Sequence, residues 1–90
     1  MDAEKWLKKG DDLSNHGRYQ EAVKAYDRAL SIDTDYVAAW NNMGLALDNL
    51  GKYTEAVNAF DTALIIDPDA AIVWSNKDSH SIMSASIKRL

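Results

Sequence analysis

Tryptophan recurs at Trp6, Trp40 and Trp74, a constant step of 34 residues, and most of the chain keeps that step. The same shift maps Gly10 onto Gly44, Leu13 onto Leu47, Gly17 onto Gly51 and Tyr19 onto Tyr53. It carries Glu21-Ala22-Val23 onto Glu55-Ala56-Val57, Tyr26 onto Phe60, Ala29-Leu30 onto Ala63-Leu64 and Asp33 onto Asp67. Residues 3–36 and 37–70 overlay without a gap and are identical at 16 of 34 positions, far more than unrelated segments share. A fixed period of this length marks stacked supersecondary units, each of which needs a neighbour to bury its apolar face.

Each unit reads as two helices. In the second unit Val37, Trp40, Gly44, Leu47 and Leu50 fall three or four residues apart, which is one face of a helix, and Ala56, Val57, Phe60, Ala63 and Leu64 form another. Gly51 lies between them, and glycine takes the left-handed conformation that closes a helix. The first unit repeats this with Trp6, Gly10 and Leu13, then Gly17, then Ala22, Val23, Tyr26, Ala29 and Leu30. The small residues Gly10, Gly44, Ala22, Ala56, Ala29 and Ala63 are expected to let paired helices approach closely, with aromatic side chains filling the wider gaps. The tryptophans, recurring at the repeat period, are expected in the core rather than in a ligand site. Units join through Asp33-Thr34-Asp35 and Asp67-Pro68-Asp69, where the second aspartate of each is expected to cap the following helix. Pro68 cannot continue a helix and sharpens its stop; Thr34 lacks that constraint, so the first junction is expected to be the softer one.

Composition bounds the function. Ninety residues make one small domain, and 47% hydrophobic with 27% charged residues is a globular mixture. The absence of cysteine excludes disulfides and thiolate metal sites. A net charge of −4 with no basic stripe argues against nucleic acid as a partner. No apolar run approaches the roughly 20 residues that cross a bilayer. The start Met1-Asp2-Ala3-Glu4-Lys5 is unlike a signal peptide. A soluble, cytoplasmic protein is the expectation.

Candidate chemistry is sparse. His16 precedes Gly17 at a helix end, where a cation suits the helix dipole, and His80 lies in a serine-rich tail; neither has metal-ligand company. Asp78, Ser79 and His80 are sequence neighbours that point in different directions on a helix, so they do not make a triad. The aspartate pairs lack the calcium-loop pattern, and the glycines fall singly rather than in a phosphate loop. The reading is no enzyme, no metal and no cofactor.

Residues 71–77 open a third unit with Ala71, Trp74, Asn76 and Lys77, after which the pattern fails: Asp78, Ser81 and Ala85 stand where glycine, leucine and the turn glycine belong. Met83, Ile87 and Leu90 keep helical spacing. Two readings stay open for residues 71–90, a C-terminal capping helix over the last unit's apolar face, or a tail altered near residue 78 and partly disordered.

Trp-x-x-x-Gly, Gly-x-Tyr-x-Glu-Ala, an aromatic, Ala-Leu and Asp-Pro at this spacing resemble the tetratricopeptide repeat family, over residues 3–70 and part of 71–77. The resemblance implies an all-α fold: antiparallel helix-turn-helix repeats stacked as a right-handed superhelix, with repeat 1 at 3–36, repeat 2 at 37–70 and a partial repeat or capping helix at 71–90. It implies a protein-interaction scaffold whose concave face, lined by the first helix of each unit, takes a peptide or partner helix. Carried onto this chain, that face presents Leu7, Asp11 and Ser14, then Asn41, Asn42, Leu45, Asp48 and Asn49, then Ile72, Ser75, Asn76 and Ser79. Family members that grip a terminal carboxylate would carry lysine at Leu7, asparagine at Asp11 and Asn42, and lysine and arginine at Ile72 and Asn76; only Asn42 matches. No carboxylate clamp is therefore expected, and Asp11 favours a neutral or basic partner over an acidic one. The alternative is self-association through the incomplete third unit, giving a homo-oligomer. RNA recognition, as in a related repeat family with a 35-residue period, fits neither the period nor the charge.

Overall fold

The computed structural model describes residues 2–77, and the expectations for residues 78–90 lie outside them. Four helices run Ala3–Asn15 (α1), Tyr19–Ile32 (α2), Val37–Asn49 (α3) and Tyr53–Ile66 (α4). A fifth, α5, occupies residues 71–77, and no strand occurs among the described residues. The two copies therefore start and stop their helices in the same register: α3 is α1 moved on by 34 residues, and α4 is α2.

The turn within each unit follows from its glycine. Gly17 and Gly51 take φ of 76° and 77°, where a side chain would be strained. The following amide then reaches back to close the helix, Arg18 N to Leu13 O at 2.8 Å and Lys52 N to Leu47 O at 2.9 Å. His16 adds its ring, Nδ1 donating to Asp12 O at 2.7 Å and satisfying a carbonyl that the helix end leaves free. At the opposite end of α1, Asp2 accepts from Lys5 N at 2.9 Å.

The turn between units is built differently from the expectation. Asp35 and Asp69 do not cap α3 and α5; the first aspartate of each pair acts instead, Asp33 Oδ1 accepting from Asp35 N and Asp67 Oδ1 from Asp69 N. These are Asx turns, in which a short carboxylate imitates a backbone carbonyl. Tyr36 occupies the N-cap of α3 and makes no side-chain cap bond. Each turn is then pinned by the tryptophan that follows it. Trp40 Nε1 donates to Thr34 O and Trp74 Nε1 to Pro68 O, both at 2.8 Å. Trp40 and Trp74 thus act as latches; Trp6 and Trp40 are half-buried and pack against the core as expected, whereas Trp74 is exposed.

The core is a run of small residues around two aromatic rings. Ala22, Ala29, Ala39, Ala56, Ala63 and Val73 are fully shielded, as nearly are Tyr26 and Phe60. Gly10 lies against the Tyr26 ring and Gly44 against that of Phe60 so closely that a Cβ would fall 2.5 Å from a ring carbon. That proximity fixes how tightly the helices of a unit pair. Between units, α1 touches α3 while α2 and α4 do not meet. First helices therefore converge on one side and second helices spread on the other, which curves the stack and makes α1, α3 and α5 its inner face. No described helix is long and apolar enough to cross a membrane.

Candidate functional site

The inner face carries a cleft of about 360 Å³ between α1 and α3, lined by Asp11, Ser14, Asn15, Tyr26, Asn42 and Leu45. Its anchor is the Asp11 carboxylate. The Tyr26 hydroxyl donates to Asp11 Oδ1 at 2.6 Å and Asn42 Nδ2 to the same oxygen at 3.0 Å. Hydrogen bonds to a charged acceptor are the stronger kind, so Asp11 is held in place from two helices at once. The Ser14 hydroxyl lies 3.3 Å from that of Tyr26. Burial, and next the bond to Asp11, push the Tyr26 hydroxyl well above the usual tyrosine range. It therefore stays protonated and remains a donor at any physiological pH.

From Asp11 the polar contacts continue along the inner face. Asn41 Nδ2 makes a long bond of 3.4 Å to Asn42 Oδ1, and Asn41 Oδ1 accepts from Asn76 Nδ2 at 3.0 Å. The chain of donors thus runs Asn76, Asn41, Asn42, Asp11, crossing from α5 through α3 to α1 and ending on the one formal charge. Such a chain fixes the rotamers of every amide in it. Both bonds to Asp11 fall on Oδ1, and among the described residues nothing bonds its Oδ2.

The expected groove residues divide by what surrounds them. Asp11, Ser14, Asn42 and Leu45 come together in the cleft. Leu7 is half-buried and packs against the core. Asn41 is buried, its amide occupied by Asn42 and Asn76, so it orders its neighbours rather than facing outward. Asn49 turns back to Leu45 O at 2.9 Å. Asp48 is half-buried on the last turn of α3, and Ile72 is exposed on α5 beside Ser75. Ser79 lies outside the described residues.

Two cleft residues escape the sequence reading, Asn15 and Tyr26. Tyr26 looks like core by period, and its ring is core; the hydroxyl alone reaches the cleft floor. A signal was present. The first unit pairs Asp11 with Tyr26 where the second has Leu45 and Phe60, so both polar changes fall in the same copy. Reading the two substitutions together points to a hydrogen bond between the first and second helix.

Repeated helical hairpins with an ordered polar inner face define a class, the all-α helical repeat proteins. The chain belongs to the tetratricopeptide repeat family, whose model matches residues 7–71. Among solved structures it resembles the second TPR of Spaghetti (RPAP3) bound to an HSP90 peptide, with a TM-score of 0.88 at 19% identity over 96% of this chain and 80% of that one. The second TPR domain of human RPAP3, in complex with an HSP70 peptide, gives 0.86 at 25% identity over 89% and 67%. The Sgt2 TPR domain from Aspergillus fumigatus gives 0.89 at 23% identity over 96% and 57%. No curated protein matches the chain in sequence.

Proposed function

We propose that this chain is a protein-interaction module that seats an extended neutral or basic segment in the cleft between α1 and α3, without a carboxylate clamp. The observation that carries the reading is the fixed Asp11 carboxylate at the centre of an open cleft on the inner face. A charge pre-positioned by two hydrogen bonds loses little freedom when a partner meets it, which is what selective recognition requires. The side-chain amides of Asn15 and Asn42 offer donors and acceptors for a partner's backbone, and the exposed Leu45 adds an apolar contact. Family membership supports the coarser statement that the chain binds protein and performs no catalysis.

The two RPAP3 domains are bound to peptides whose sequences close with two glutamates, valine and aspartate. Such an acidic end meets an acidic anchor here, because Asp11 lies where a clamp would carry asparagine and Leu7 and Ile72 lie where it would carry cations. Like charge across an interface opposes binding. Asp11→Asn tests this directly, since an amide oxygen still accepts from Tyr26 and Asn42 while the charge is gone. Calorimetric titration of short basic and neutral peptides is expected to show the preference for the basic one fall by about threefold to fivefold in the variant. An unchanged preference would place the selecting charge elsewhere.

A further inference from the structure

The repeat register exposes a second surface at the opposite side of α1. Within the chain, each first helix packs against the second helix of the unit before it, α3 on α2 and α5 on α4. The second of these contacts has a clear chemical signature. Lys77 lies over the Trp74 ring with Nζ 5.4 Å from its centroid and pairs with Asp61 Oδ1 of α4 at 2.6 Å. Two units earlier, α1 carries the same pair of residues in the same arrangement, Lys9 Nζ lying 5.3 Å from the Trp6 centroid. The place that α4 takes beside α5 has no helix in it beside α1 among the described residues.

A cleft of about 310 Å³ marks that place, with Trp6, Leu13 and Ala25 among its lining and Lys9, Lys24 and Arg28 at its edge. Arg28 Cζ also lies 5.9 Å from the Trp6 centroid, so two cations share one ring. Neither they nor Lys24 has a carboxylate partner among the described residues; Glu21, the one acid in the cleft, pairs with Arg18. The first junction differs, since Met43 takes the lysine position there and Asp27 of α2 forms no ion pair among the described residues. The basic cluster, Lys9 of α1 with Lys24 and Arg28 of α2, is thus a feature of the first unit, and a carboxylate is what would relieve it.

We propose that this face of α1 docks an amphipathic helix from a partner protein, seated as α4 is seated on α5 and presenting an acidic side chain to Lys9 in the way that Asp61 meets Lys77. The site is separate from the inner cleft, so it takes a different ligand at the same time. A second copy of the chain is a poorer occupant, because its own α4 is already engaged by Lys77.

The test uses a helix-stabilised peptide of the α4 sequence, residues 53–66, added to the full chain while the three tryptophan indole N–H signals are followed by NMR. The expected result is a shift of the Trp6 signal alone, weakened about threefold to fivefold either by Asp61→Asn in the peptide or by Lys9→Gln in the protein, with no further loss when both are present. Lys9 is exposed and bears no core contact, so the variant keeps the fold. A Trp6 signal that ignores the peptide, or one that responds equally to the Asp61→Asn form, overturns the proposal. Shifts at Trp40 and Trp74 would mean exchange of α4 itself, and a Trp6 shift on dilution of the chain alone would mean a second copy; either contradicts a partner helix.

Discussion

At Gly10 and Gly44 a single hydrogen stands between helix backbone and a buried aromatic ring, and the two positions separate stability from recognition. Alanine favours a helix over glycine by about 1 kcal/mol. Against that, its Cβ would overlap a ring carbon of Tyr26 or Phe60 that is itself almost fully shielded and has nowhere to move. Overpacking of this kind costs about 1–3 kcal/mol, so Gly10→Ala and Gly44→Ala are each expected to lower stability by about 1–2 kcal/mol in urea unfolding. Only Gly10→Ala displaces the Tyr26 hydroxyl from Asp11, so only it is expected also to weaken peptide binding. Equal binding losses in both variants would detach the hydroxyl from the site. At this scale the sequence was legible in part. The close approach at the glycines follows from the residue types and their period. The bond from Tyr26 to Asp11 does not, because period assigns a residue to a face and says nothing of where the tip of a long side chain ends. Asn41 shows the same limit: it lies on the first helix as the groove residues do, yet its amide is buried between Asn42 and Asn76.

The two helices of each unit were readable in outline, since apolar spacing sets their faces and Gly17 and Gly51 mark where the first helix of each unit stops. The turns between units were not. Asp-x-Asp offers two carboxylates, and only the backbone path decides which of them finds an amide; the first does, at Asp33 and Asp67. The two turns match closely, with Tyr36 N to Asp33 O and Ala70 N to Asp67 O both at 3.2 Å. Asp33 has φ −132° and ψ 95°, and Asp67, which precedes proline, has φ −134° and ψ 89°. Asp33 therefore already holds the extended conformation that a following proline demands. Thr34→Pro is expected to raise stability by about 0.4–1 kcal/mol by restricting the unfolded chain, seen as a higher midpoint in thermal unfolding. A lower midpoint would show that the first turn differs from the second in a way its hydrogen bonds do not reveal.

For the molecule as a whole, the third unit's opening matters as much as either complete one. Val73 is fully shielded, Trp74 pins the Pro68 turn, Asn76 bonds Asn41 and Lys77 pairs with Asp61. A chain ending at Asp69 loses all four, and burial of Val73 alone contributes about 1.5–3 kcal/mol. Since repeat arrays need about three units, that chain is expected to lose its cooperative melt in circular dichroism; a sharp transition would contradict the role given to α5. The stack was visible in the sequence because a 34-residue period is a whole-chain property. The curvature that makes an inner face was implied by family resemblance alone, since it depends on α1 meeting α3 while α2 and α4 stay apart. On the proposed reading this inner face, with Asp11 at its centre, is where a neutral or basic segment binds. A two-dimensional amide NMR titration with short acidic, neutral and basic peptides addresses it most directly. Shifts are expected to gather at Asp11, Asn15, Asn42 and Leu45 for the neutral and basic peptides, with none for the acidic one. Shifts gathered on α2 and α4, or an equal response to the acidic peptide, would contradict that reading.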